Sequence, residues 1–328
     1  MGKRERKISR FTGRWITEQG AGTVEYVIVV LVAIVIGSGL LGFGNQVSGQ
    51  VTKTGNSISS WFSKANGTGG TGGGNAGGGN SEADSRIDEL KEKDPADWTL
   101  DDQKAVAEDI GKKGNSSELY AKAKDAMDAG TTWSITLTDG KTMTYRIIGI
   151  NHDDLADGSG KAGLTFLTTS TTISSRMNAT GTNAGGWKQS ELRQKMNSGE
   201  IWNLMPSEFQ SRVKATKKLT HNENDTLATA TSDKLFLLSY SEIVPTSYWN
   251  SSYLYAWTSI EGTQYEAFKD KVTNNHDVNS AIAIGYPWWE RSMAPDSSAY
   301  FLNVHGGGDP SSTYSAQYSL CVCSAFCF

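Results

Sequence analysis

The sequence predicts an α+β domain carried behind a single apolar, membrane-spanning helix and a flexible glycine-rich linker. Three observations carry this reading: an uncharged apolar run that begins at Tyr26 behind a basic N-terminus, nine glycines within residues 66–80, and, from Thr131 onward, strand-like alternation interrupted by turn signals and short amphipathic segments.

The helix comes first. Residues 1–20 contain Lys3, Arg4, Arg6, Lys7, Arg10 and Arg14 against only Glu5 and Glu18, so a formal net charge of -4 conceals a basic end and an acidic body. From Tyr26 to Thr52 no residue is charged, and Tyr26 to Phe43 is nearly all apolar. At ~1.5 Å per residue that core reaches roughly 27 Å, close to one hydrocarbon thickness. A secretory signal would have a shorter apolar core followed by a small-residue cleavage site. Here a mixed stretch, Asn45 to Phe62, continues instead, so the helix is expected to be retained. The basic cluster keeps the N-terminus inside, which predicts a single-pass protein of the cell membrane with its C-terminal domain extracellular.

The run Gln19-Gly20-Ala21-Gly22-Thr23-Val24-Glu25-Tyr26 resembles the processing site of type IV prepilins, in particular the Flp/Tad class. The resemblance implies cleavage after Gly20, Ala21 as the first mature residue, and Glu25 followed by Tyr26 in the positions used for assembly. A carboxylate at the edge of a spanning helix is costly and calls for a partner. The implied partners are a prepilin peptidase and a pilus or secretion assembly machinery. A plain anchor with Glu25 in the membrane interface is the alternative.

The linker is NGTGGTGGGNAGGGN, a composition that cannot pack, with a mean span of roughly 20 Å. Flp-type pilins are otherwise short, so a long tethered cargo departs from that class. Residues 83–130 are charged and helix-prone, with Ser85, Asp97 and Thr99 as candidate N-caps and Pro95, Gly111 and Gly114 as breaks. The organisation expected is a leader at 1–20, a spanning helix with its extension at 21–64, a linker at 65–82, a helical lead-in at 83–130 and a main domain at 131–328.

Within the main domain, Trp133 to Leu137, the turn Asp139-Gly140 and Met143 to Ile148 read as a hairpin. Leu164 to Leu167 reads as a strand, Trp187 to Met196 and Ser207 to Lys214 as helices, and Lys234 to Ser239 as a buried strand. Five ordered segments, NHDDLADGSGKAGLTF (151–166), NAGGWKQSELRQKMN (183–197), TSDKLFLLSYSEI (231–243), GYPWWERS (285–292) and VCSAFCF (322–328), resemble the DUF6273 family. The resemblance implies a C-type-lectin-like fold related to the formylglycine-generating-enzyme type of domain. It also implies Trp187, Trp288 and Trp289 as core aromatics, Arg193 and Arg291 as hydrogen-bond hubs, and Asp157-Gly158 as a turn.

Two positions depart from the family pattern, which usually has Leu where Glu290 stands and often Arg-Pro where Cys323-Ser324 stands. The second points toward C-terminal forms found in target proteins of diversity-generating retroelements. In those proteins the segment after the Trp-Trp-x-Arg-Ser motif presents varied residues on a fixed scaffold. Region 293–322 here is rich in Ser, Tyr, Gly, Asp and Asn; tyrosine offers rigid contact area while Ser and Gly adapt, as in antibody paratopes. The expected ligand-binding face is Ser297, Ser298, Tyr300, Leu302, His305, Asp309, Ser311, Ser312, Thr313, Tyr314, Gln317 and Tyr318. The partner expected is an extracellular protein or glycan. Ordinary surface loops have a similar composition, and a structural minor pilin without an external ligand is the competing reading.

Other classes fit less well. The body lacks a basic stripe, which argues against nucleic acid. His152, His221, His276 and His305 are scattered, and no nucleophile-and-base motif appears, so no catalytic residue, cofactor or metal is assigned. Asp153, Asp154 and Asp157 lack the calcium-loop spacing and read as a solvated turn. Cys321, Cys323 and Cys327 sit in the last eight residues; a Cys323–Cys327 pair is one option and packed thiols the favoured one.

Overall fold

A computed structural model of the chain describes residues 78–221, 228–245, 256–274, 278–294 and 297–328, which lie in the compact unit Gly77–Phe328. The leader, the apolar helix and residues 65–77 of the expected linker fall outside the described residues. Among the described residues no helix is long and apolar enough to cross a membrane.

Three helices open the unit: α1 (Gly78–Glu92), α2 (Leu100–Lys113) and α3 (Tyr120–Ala129). Helix α1 begins inside the segment expected to be linker. Thr99 caps α2 with a reciprocal capping box to Asp102, satisfying two otherwise orphaned amides. Ser85 lies within α1, and Asp94 rather than Asp97 caps the short 3-10 turn Pro95–Asp97. Gly111 does not break α2; the helix stops at Gly114, whose φ of 56° suits glycine.

These helices are not a separate lead-in. Trp98 stacks on Trp133 with ring centroids 6.2 Å apart, and Trp133 Nε1 donates to the Pro95 carbonyl at 2.9 Å. Gly163 passes so close to α2 that an added Cβ would lie 1.9 Å from the Ala107 carbonyl oxygen. Helices and sheet therefore share one hydrophobic core.

The first sheet has the order β1-β2-β3-β11, with β1 (Thr132–Thr136), β2 (Thr142–Ile150), β3 (Leu164–Thr168) and the C-terminal β11 (Ala325–Cys327). The β1–β2 hairpin turns at Asp139-Gly140 as expected, Gly140 having φ 83°. The second sheet has the order β4-β10-β7-β8-β9, with β4 (Ser174–Arg176), β7 (Trp288–Met293), β8 (Tyr300–Val304), β9 (Ser312–Ser315) and β10 (Ser319–Cys321). A two-stranded ribbon pairs β5 (Thr216–Thr220) with β6 (Thr229–Asp233). The fold is mixed α+β.

Three expected elements differ. The Trp187–Met196 helix divides into α4 (Gly186–Gln189) and α5 (Glu191–Asn197), because Ser190 turns to ψ 143° and its hydroxyl caps the Arg193 amide. After α6 (Glu200–Leu204), α7 ends at Gln210 (Ser207–Gln210), and the chain crosses to the C-terminal strand, the Lys214 amide donating to the Cys327 carbonyl at 2.9 Å. Lys234–Ser239 is extended and largely buried, yet it bridges only Phe236 to Ala325. Its other carbonyls are taken elsewhere, Leu237 O by the Arg291 guanidinium and Leu238 O by the Arg291 amide. The short α8 (Tyr240–Ile243) follows.

Candidate ligand-binding face

Strand β7 is fixed from both sides. Trp288 Nε1 donates to the Ile282 carbonyl at 3.0 Å and Trp289 Nε1 to the Ser175 carbonyl at 2.9 Å. Arg291 is fully buried and uses its whole guanidinium: to Glu242 Oε2 at 2.5 Å and Oε1 at 2.9 Å, and to the carbonyls of Leu237, Glu261 and Leu219 at 2.8, 2.7 and 3.2 Å. Arg193 serves a similar but more peripheral role, its Nε donating to Asp233 Oδ1 at 2.6 Å.

Beyond Glu242 the charges alternate. Lys218 Nζ lies 2.6 Å from Glu242 Oε1 and 2.7 Å from Asp153 Oδ1, and Asp153 Oδ2 accepts from Thr165 Oγ1 at 2.7 Å and Tyr265 OH at 2.8 Å. Two acids and two bases thus form a buried, electrically neutral chain, Asp153–Lys218–Glu242–Arg291. Burial alone raises a carboxyl pKa; for Asp153 that push is outweighed by the Lys218 ammonium, with His152 and the hydrogen bonds adding to it, and the group falls to about 2. Glu261 is different. Desolvation lifts it to about 7 despite Arg291 and the hydrogen bonds from Ser292 and the His221 amide.

Asp153 is therefore part of the core rather than a solvated turn. Asp154 pairs with Lys161 at 3.1 Å, and Asp157 accepts from the Ser159 amide at 3.0 Å in the turn completed by Gly158. None of the sequence features singled out Lys218, Glu242 or Glu261. The only available signal was a charged residue, Lys218, on the inward-facing alternate positions Thr216, Lys218 and Thr220 of β5.

The three cysteines are free and buried. Desolvation raises the Cys321 and Cys323 thiols and pushes Cys327 up to about 12, the opposite of an activated thiol.

On this base, β8 and the edge strand β9 carry the expected recognition residues. Phe301, Leu302, Asn303 and Val304 are all fully buried. Tyr300 is 42%, Tyr314 36% and Tyr318 55% exposed, and the Tyr314 and Tyr318 rings meet edge-to-face at 6.0 Å. Ser298, His305 and Gln317 are exposed as well; Ser297, Asp309, Ser311, Ser312 and Thr313 are half-buried.

Leu302 is a correction: it is a core residue. The register supplies a second one. Directly opposed residues share a face of the sheet, and Leu302 opposes Thr313 whereas Phe301 opposes Tyr314 and Asn303 opposes Ser312. The twelve positions therefore do not form one flat face. The accessible ones lie along the β9 edge, in the flanking turns and at the start of β8, where Tyr300 opposes Ser315 and so faces the other way from Tyr314.

Those turns are held in place. Asn183 Nδ2 donates to the carbonyls of Ser297 at 2.6 Å and Tyr300 at 3.0 Å. Asp309 Oδ1 accepts from the Ser311 amide at 2.9 Å and hydroxyl at 2.8 Å. The Gly306-Gly307-Gly308 run is needed for close approach: a Cβ on Gly306 would lie 2.8 Å from the Gly285 carbonyl oxygen, and one on Gly308 2.0 Å from the Asn279 carbonyl oxygen. The 278–286 loop thereby lies against the His305 turn and adds two exposed residues that sequence reasoning missed, Val278 at 76% and Tyr286 at 61%.

Beneath the face, Glu290 is fully buried and neither carboxyl oxygen has a hydrogen-bond partner. Desolvation, with Glu261 and Asp309 adding to it, raises its pKa well above the usual carboxylate range.

Comparison with known proteins gives one match. The family described as "Domain of unknown function (DUF6273)" matches residues 162–328, beginning just before β3, so the three helices, β1 and β2 lie N-terminal to the matched segment. No curated protein and no solved structure matches the chain.

Proposed function

We propose, taking as premise that the chain belongs to the DUF6273 family, that it is a surface-displayed binding protein whose recognition surface is the β9 edge with its flanking turns. The observation that carries this reading is the contrast within a few residues of chain: Tyr300, Tyr314 and Tyr318 are exposed beside Phe301, Leu302, Asn303 and Val304, which are fully buried. Large, rigid rings on a fixed backbone lose little conformational entropy on binding. Ser298, His305 and Gln317 supply adaptable polar contacts, and Tyr286 and Val278 extend the apolar area. The domain is proposed to be C-type-lectin-like, which rests on the family resemblance together with the α+β layout.

The same proposal takes the N-terminal segment as a prepilin-like anchor, cut after Gly20 and assembled through Glu25, that holds the domain outside the membrane; the motif around Gly20 supports it. It further takes the chain as the diversified target of a diversity-generating retroelement. Two experiments test these parts. Replacing Gly20 with Val leaves the leader attached if the site is right, and a normally shortened product refutes it. Adjacent DNA is expected to hold a reverse transcriptase gene and a near-copy of the codons for residues 288–328. Absence of both, with invariant residues at Tyr300, Tyr314 and Tyr318 among strains, refutes diversification and leaves the structural-pilin reading.

A further inference from the structure

Six arginines lie among the described residues, and five have an acidic partner: Arg86 with Glu89 and Asp102, Arg176 with Glu191, Arg193 with Asp233, Arg212 with Asp101 and Arg291 with Glu242. Arg146 has none among the described residues. It sits in β2 between its cross-strand neighbours Thr132 and Leu167. All three line a cavity of about 240 Å³ between this sheet and the 280–284 segment, with Trp288 as another wall. Its Nη2 donates to the Ala281 carbonyl at 2.5 Å, its Nε is buried without a partner, and its Nη1 makes no hydrogen bond to the described fold. Burial lowers its pKa, with no carboxylate to oppose the shift. Thr168, which also lines the cavity, has a buried hydroxyl without a partner.

Arg146 is half-buried, and a guanidinium partly withdrawn from water without a counter-charge costs free energy that an apolar side chain at the same place would not. Arg146 is thus poorly explained as a structural element, and its planar fork matches a carboxylate. We propose that this cavity is a second binding site, separate from the β9 edge, that takes a small monocarboxylate: the carboxylate on Arg146 and a short hydrocarbon part against Leu167, Ile282 and Trp288. The volume is below the ~300–1,000 Å³ of sites for drug-sized ligands, which fits an acid of a few carbons. A single guanidinium, with no second cation among the lining residues, favours one negative charge over the two of phosphate.

The test uses the full chain in detergent at constant ionic strength, titrated calorimetrically with butyrate, inorganic phosphate and butylammonium. Butyrate alone is expected to give saturable binding. In Arg146→Met that binding weakens by at least about tenfold, and the variant melts at the same or a higher temperature than the parent. Absence of saturable butyrate binding to the parent, undiminished binding by the variant, or phosphate binding as tightly as butyrate overturns the proposal. A variant that melts lower or fails to fold overturns it too, by showing that Arg146 is structural.

Discussion

The chain Asp153–Lys218–Glu242–Arg291 and the edge Tyr300–Tyr314–Tyr318 lie in the same small domain and use opposite physics. In the first, every charge is withdrawn from water and each depends on its neighbour, so the geometry is over-determined. In the second, the rings are a third to a half exposed, Tyr314 and Tyr318 meeting only edge to face, and the hydroxyls of Ser297 and Ser311 bond within their own turns. The difference shows how a fold can hold a surface still: the buried ionic chain fixes the backbone, and the exposed side chains at the edge take no part in it.

The sharpest way to break this contrast is to remove one charge from the chain. Lys218→Met leaves Asp153 and Glu242 facing each other without the ammonium between them, and is expected to cost about 3–5 kcal/mol in urea unfolding. A loss below about 1 kcal/mol would show that water reaches the group.

The next effect is in pH. Glu261 is raised to about 7 from an ordinary 4.5, so the folded state holds its proton more tightly. The stability it contributes is complete below about pH 4.5 and is lost as pH rises through about 7, on the order of 3 kcal/mol. His152 works in the same direction: burial lowers its pKa, but the hydrogen bond to Glu266 and neighbouring acids leave it raised. Glu290 adds the same sign. Asp153, depressed to about 2, contributes above its ordinary range and loses that contribution only in strong acid. The melting temperature is therefore expected to fall between pH 5 and pH 8, with a shallower slope in Glu261→Gln. A rise over that interval contradicts the assignment.

Glu290→Leu removes a buried carboxyl with two unpartnered oxygens and is expected to stabilise by about 1–3 kcal/mol, read as an upward shift of the urea midpoint. At the small end, Tyr314→Ala and Tyr318→Ala are expected to change stability by no more than about 0.5 kcal/mol each.

The sequence exposed one half of this contrast better than the other. The β1–β2 hairpin was legible because Asp139-Gly140 stands between two alternating runs, and the Trp187, Trp288 and Trp289 core followed from the family motifs. Composition marked most of the residues that the structure leaves accessible in this region, among them Ser298, Tyr300, His305, Tyr314, Gln317 and Tyr318. Leu302 was misplaced because composition carries no register, and its exposure is decided by which face of β8 meets the core. The ionic chain was invisible because its members come from Asp153, β5, α8 and β7, brought together only by the tertiary fold. For the same reason Lys234–Ser239 reads as a strand: its unbroken apolar run, Leu235 to Leu238, is that of a buried segment, but a side chain, Arg291, takes a bond that a neighbouring strand would have made.

The most direct test of the account combines Ser298→Ala, Tyr300→Ala, Tyr314→Ala, Gln317→Ala and Tyr318→Ala in the full chain. Parent and variant are compared by thermal melting and by binding to an array of immobilised glycans and extracellular-matrix proteins. The account predicts a melting temperature within about 4 °C of the parent and loss of every array signal the parent gives. A large drop in melting temperature, a parent that binds nothing on the array, or an unchanged array pattern in the variant would contradict it.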